Sequence, residues 1–201
     1  GRAHEVLGDQ QPSPRVVPPD QRLDRDRLPG GQVDGGQHDD HELVLLARWG
    51  RDEGYELRFI EWMPLDFQHS WDRSQLVSGD ETMARIAEVF PLEPEDGSDD
   101  PSAPARTFRY RDGAGRVGVV SSVTKPFCGH CDRIRLTADG QVRTCLFALQ
   151  EYDFRSLMPG GGSDDDIESL LRSAVLRKQP GHLISQPGFV QPERGMSAIG
   201  G

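Results

Sequence analysis

The 201-residue chain has no apolar run near the roughly 20 residues that cross a bilayer, and no charged-then-apolar leader at its start. The first absence argues against a membrane protein, and the second makes the cytoplasm the default location. Positive charge is also in deficit, with a formal net charge of −10. Such a chain repels phosphate backbones, which excludes general nucleic-acid binding but leaves room for a local basic pocket around one small anion. Hydrophobic residues make up only 35%. Residues 1–42 contain no Ile, Phe, Tyr or Trp. A segment so poor in apolar surface cannot offset its conformational entropy and is expected to be disordered. Cysteine is scarce too: there are three, all between Cys128 and Cys145. An odd, clustered set in a reducing compartment points to metal or redox chemistry more than to a disulfide framework.

Regular patterning begins near residue 43. Leu43, Leu46, Ala47 and Gly50 recur at helical spacing, and Gly54 is a plausible stop. "YELRFIEWM" then alternates, with Leu57 and Phe59 on one face and Arg58 and Ile60 on the other, before Pro64. A second helix is expected in "SGDETMARIAEVF", capped at Ser78 or Asp80, with Met83, Ile86, Ala87 and Phe90 as its apolar stripe. "PLEPEDGSDDPSAPAR" reads as an acidic surface loop, and "TFRYRDGAGRVGVVSSV" as a hairpin turning at "DGAG". A tighter hairpin turns at Asp139-Gly140. The last helix has Ser163 as its cap and Ile167, Leu170, Leu171, Ala174 and Val175 as its buried stripe. Arg177 and Lys178 suit its negative end, and Pro180-Gly181 stop it. A short helix followed at once by a strand is a half-step of α/β architecture.

Cys128 and Cys131 form a C-x2-C pair, and Cys145 follows after 13 intervening residues, at the return of the tight hairpin. Three readings compete. A structural zinc site needs a fourth ligand, and neither His130 nor His182 has a convincing zinc-finger spacing. Cys145, followed by Leu146-Phe147, suits an ordinary core thiol, although the pair does not. A cubane iron–sulfur cluster normally takes four thiolates, so three leave one iron open for a small molecule.

Arg133 and Arg135 share parity on "RIRL" and would face the same side as the sulfur of Cys131. Two guanidiniums beside a metal site suit a ligand that also carries phosphate. The bland alternative is two exposed arginines on a half-solvated strand with Ile134 turned inward.

"PFCGHCDRIRLTADGQVRTCLF" resembles the C-terminal cluster segment of the radical-SAM GTP 3′,8-cyclase family, which begins molybdenum-cofactor biosynthesis. "LRFIEWMPL" resembles a late barrel strand of that family, and "GMSAIGG" resembles its double-glycine tail. The resemblance covers residues 43–201. It implies a 4Fe-4S cluster on Cys128, Cys131 and Cys145, with the guanine of GTP on its open iron. It places Arg58, Arg133, Ile134 and Arg135 against GTP, Met63 against S-adenosylmethionine, and Gly200 and Gly201 at the active site. The implied fold is α/β: the C-terminal part of an incomplete (β/α) TIM-like barrel of the radical-SAM type plus a cluster-binding extension.

The family carries a further 4Fe-4S cluster on a C-x3-C-x2-C motif, which cleaves S-adenosylmethionine to start conversion of GTP to (8S)-3′,8-cyclo-7,8-dihydroguanosine 5′-triphosphate. These 201 residues contain no such motif. The expectation is therefore a fragment that is inactive alone, with residues 1–42 disordered or mis-framed. Residues 43–95 would supply the last barrel units, and residues 96–201 the cluster- and GTP-binding extension. Its expected partners are GTP, a second copy in a homodimer and the next enzyme of the molybdopterin pathway, with neither nucleic acid nor membrane. The alternative is a non-catalytic zinc or iron–sulfur module.

Overall fold

A computed structural model describes residues 40–95, 101–158 and 161–199. The expectations for residues 1–39, and for Gly200 and Gly201, lie outside the described residues. Helix α1 spans Asp40–Glu53. It ends where the periodicity predicts, because Gly54 takes φ +76° and the Tyr55 N–H closes onto the Gly50 carbonyl at 2.7 Å. Strand β1 follows at Leu57–Ile60, shorter than the "YELRFIEWM" run, with Leu57 and Phe59 half-buried and Arg58 and Ile60 exposed. Helix α2 spans Gly79–Val89, and its Ser78 cap accepts the Glu81 N–H at 3.2 Å. Met83, Ile86 and Phe90 are buried along its foreseen stripe.

Strands β2 (Leu92–Pro94), β3 (Arg106–Tyr110) and β4 (Arg116–Val120) complete a four-stranded sheet in the order β1-β4-β3-β2. The "DGAG" hairpin is present between β3 and β4. The segment after α2 corrects the loop reading, since its first residues pair with β3 as an edge strand. Pro94 is tolerated there because an edge needs no second row of donors. β1 runs parallel to β4, and α2 lies on the crossover between them. The sheet therefore joins residues from both sides of position 95. Ala47, Met83, Ile86, Phe90, Tyr110, Val117 and Val119 form its core.

A smaller antiparallel sheet holds β5 (Arg135–Leu136), β6 (Gln141–Arg143) and β7 (Tyr152–Asp153). β5 and β6 are the expected hairpin, closed by Thr137 N–H to the Gln141 carbonyl at 2.9 Å. β7 had no sequence signal, being only two residues long. Helix α3 spans Asp164–Leu176 and opens with a capping box between Ser163 and Asp166. Its stripe is thinner than expected. Ala174 is buried and Ile167, Leu170 and Leu171 are half-buried, but Val175 is 50% exposed. A sheet of two- and three-residue strands is too narrow to cover the last helical turn.

A second core gathers Leu65, Val123, Phe147, Ile184 and Ile199. The final segment docks into it. Met196 N–H donates to the Leu65 carbonyl at 2.9 Å, and Gln191 Nε2 to the Asp66 carbonyl at 2.9 Å. Arg194 adds ion pairs to Asp139 and Glu151. No helix of the described residues is long and apolar enough to cross a membrane.

Candidate functional site

The second core forms one wall of a cavity of about 80 Å³. Cys128 opens a single 3-10 turn, Cys128–His130, and the Cys131 N–H closes it onto the Cys128 carbonyl at 3.2 Å. The β5–β6 hairpin then returns the chain to Cys145. All three cysteines line the cavity, together with Met63, Ser122, Phe127, Arg133, Arg135, Thr144, Phe147 and His182. The thiols are free and half-buried.

The parity argument holds for the arginines. Both line the cavity, although only Arg135 lies within β5. Arg133 stacks 4.6 Å from the Phe127 ring centroid, and its guanidinium donates to the Ser102 carbonyl. Ile134 points elsewhere and is 45% exposed. It is neither the inward anchor of the bland reading nor a lining residue. Met63 lines the cavity. Arg58 does not; it sits on the exposed face of β1, over Gly118, and pairs with Glu56 at 2.8 Å.

Three residues that the sequence did not single out as site residues shape the surroundings. Lys178, just beyond α3, turns back so that Nζ donates to the Arg133 carbonyl at 2.6 Å and the Thr144 carbonyl at 2.7 Å, and lies 3.7 Å from Cys131 Sγ. Its sequence position suggested only a favourable charge at a helix end.

His182 is buried with both ring nitrogens engaged. Nε2 lies 2.7 Å from the Ser122 carbonyl, and Nδ1 accepts the Ile184 N–H at 3.1 Å. The ring is thus the Nε2–H tautomer. The intervening Leu183 takes φ +61°, a strained value for a branched residue. Burial pushes the His182 pKa down, against the opposing pull of the Ser122 carbonyl. A histidine among Pro-Gly and an apolar pair is the only local hint of this role.

Glu61, 4% exposed, accepts N–H groups from Gly79 at 2.7 Å, Val123 at 2.7 Å and Thr124 at 2.8 Å. Burial alone would raise its carboxyl pKa. The Thr124 hydroxyl and these three amides outweigh burial and hold it low. It fixes the turn that leads to Cys128.

Cys145 has its thiol pushed up by burial, partly offset by the Phe147 N–H, which reaches the sulfur at 3.4 Å. His130 is exposed and does not line the cavity, and both ring nitrogens of His182 are engaged with backbone groups. Among the described residues no group of three His, Cys, Asp or Glu side chains is arranged to hold a single metal ion. The donor chemistry is three thiols around one cavity, with an ammonium and two guanidiniums beside them.

Residues 55–184 match the family model described as Molybdenum Cofactor Synthesis C. The chain is 49% identical over 160 residues to a GTP 3′,8-cyclase of Mycobacterium sp. (strain KMS), covering 80% of this chain and 45% of that protein. It is 48% identical over 166 residues to a GTP 3′,8-cyclase of Streptomyces coelicolor, covering 83% of this chain and 48% of that protein. A protein of Mycobacterium bovis named GTP 3′,8-cyclase 2 is 48% identical over 164 residues, covering 80% of this chain and 45% of that protein. The chain thus spans about half the length of the curated relatives it matches.

Proposed function

The chain belongs to the Molybdenum Cofactor Synthesis C family, and from that premise we propose that it forms the substrate-holding part of a GTP 3′,8-cyclase. The observation that carries this reading is the convergence of Cys128, Cys131, Cys145, Arg133 and Arg135 on one cavity. On this reading Cys128, Cys131 and Cys145 hold a 4Fe-4S cluster. A cluster held there would supply Lewis-acid iron beside the cavity, where the guanine could be bound.

The protein's own residues then bind and orient. Arg133 and Arg135 meet the charged portion of GTP, each offering a planar fork of donors matched to phosphate oxygens. The Phe127 ring beneath Arg133 keeps that guanidinium in place. Met63, Phe147 and Leu146 wall the cavity with apolar surface, which limits water around the ligand. Met63 faces S-adenosylmethionine; the active-site role of Gly200 and Gly201 rests on the family resemblance alone, since both lie outside the described residues. Ile134 and Arg58 belong to the same proposal only if the nucleotide extends beyond the cavity that the sulfurs line.

The barrel assignment is part of the proposal: α1, β1 and α2 are its last units, and residues 96–201 its cluster-binding extension. A cytoplasmic location agrees with three unpaired thiols. Association as a homodimer and supply of product to the next molybdopterin enzyme follow from the same reading. These 201 residues contain no C-x3-C-x2-C motif, so radical generation lies with other residues of the whole enzyme. This stretch alone binds GTP without converting it.

Anaerobic reconstitution tests the reading. The chain should take up about four irons and four sulfides and bind GTP, and Cys145→Ala should lose both. If Cys145→Ala leaves iron content and GTP affinity unchanged, the three-thiolate assignment is wrong.

A further inference from the structure

We propose that Lys178 is a positioning residue for the sulfur site, tying its two arms together before anything binds there. The inference rests on the cluster reading above. The two arms are the two sides of one short hairpin: Cys128 and Cys131 precede β5, and Cys145 follows β6. An ammonium has three N–H donors. Lys178 directs two of them to the Arg133 carbonyl (2.6 Å) and the Thr144 carbonyl (2.7 Å), and its third neighbour is Cys131 Sγ (3.7 Å). Arg133 lies two residues after Cys131, and Thr144 immediately precedes Cys145. One side chain from a third element therefore holds both arms at the residues flanking their cysteines.

The electrostatic setting supports the assignment. Lys178 is part-buried, and among the described residues no carboxylate pairs with it. A cation withdrawn from water without a carboxylate needs another anion or well-placed dipoles. Two carbonyl dipoles meet that need, and a cluster bound through thiolates would add negative charge beside them. A hydrogen bond from Lys178 to Cys131 Sγ would also stabilise the reduced form, because donors to cluster sulfurs raise the potential. The same side chain thus has two effects: it pre-sets the spacing of the arms, and it biases the electronic state of what they hold.

Lys178→Met and Lys178→Arg, made in the full chain and reconstituted with limiting iron and sulfide, separate these effects from plain structural support. Iron per chain, the midpoint potential of the loaded protein and far-ultraviolet circular dichroism of the empty protein are the readouts. Lys178→Met should bind at least threefold less iron, and the fraction that loads should show a more negative potential. Lys178→Arg, which keeps the charge and several donors, should restore iron content to near the native level. Should Lys178→Met lose its fold, Lys178→Gln carries the test: its amide is neutral, shorter and has two N–H donors, too few to serve both carbonyls and the sulfur, so it must still lower both iron content and potential.

Equal iron at an unchanged potential in the neutral variants overturns the inference while leaving the cluster reading intact. A native chain that takes up no iron removes the cluster reading, and this inference with it.

Discussion

The carboxylate of Glu61, at the end of β1, accepts the backbone N–H of Val123 at 2.7 Å across 62 residues of chain. It also accepts the Gly79 amide at the start of α2 and both the amide and hydroxyl of Thr124. One buried side chain thus joins a strand end, a helix start and the loop entering the sulfur site. Replacing Glu61 with Ala leaves several buried donors unsatisfied, each costing about 1–3 kcal/mol. We expect a loss of about 3 kcal/mol, read as a fall of about 6–12 °C in the thermal midpoint. An unchanged midpoint would remove Glu61 as the hub.

Gly79 allows the close approach on which that hub depends. A Cβ at this position would stand 2.2 Å from Ser121 Oγ and 2.8 Å from Val119 Cγ2. Gly79→Ala gains helix propensity at an α2 end, but overpacking against β4 outweighs that gain. The expected outcome is a net loss of about 1–3 kcal/mol in chemical denaturation. A more stable variant would show that the sheet yields easily at this point.

His182 makes stability pH-dependent in a definite direction. Its folded pKa is depressed by burial, so the unfolded chain takes up a proton first as pH falls. The stabilising contribution is full above the ordinary histidine value of about 6.5 and is lost as pH drops below it toward the folded pKa. Thermal midpoints measured between pH 5 and 8, a window around that ordinary value, should decline on the acid side. His182→Gln should flatten that decline. Its persistence in the variant would assign it to other groups.

Ile199 is fully buried in the second core, immediately before the terminal glycines. Ile199→Ala should cost about 2–5 kcal/mol if the pocket cannot collapse around it. Faster release of the tail by carboxypeptidase is the more local readout. Equal digestion of both proteins would mean that the contacts of Gln191 and Met196 hold the tail unaided.

Arg133 and Arg135 predict a charge-specific binding loss. Alanine at either position should weaken GTP by about 10- to 100-fold, the value of one charge-assisted contact, and leave guanosine nearly unaffected. Isothermal titration with both ligands distinguishes this from a general collapse of the cavity, which would weaken the two alike.

Much of the local structure was legible because its causes are local. Ser78 and Ser163 cap helices with their own side chains, Gly54 ends one through a positive φ, and Asp139-Gly140 turns a hairpin. The C-x2-C pair and its hairpin return placed three sulfurs on one site for the same reason, since turn geometry acts over a few residues. The parity of Arg133 and Arg135 survived even though the strand itself shrank to two residues, because extended backbone alternates whether or not it pairs.

What the chain alone determined is therefore the set of chemical groups and their short-range spacing. Tertiary structure decided which distant groups meet them. Lys178 reaches Cys131 across 47 residues, and His182 reaches Ser122 across 60. It also left Val175 uncovered, because the sheet beneath α3 is narrow. No periodicity encodes such contacts; they arise when two cores close and buried polar groups must find partners wherever the packing puts them.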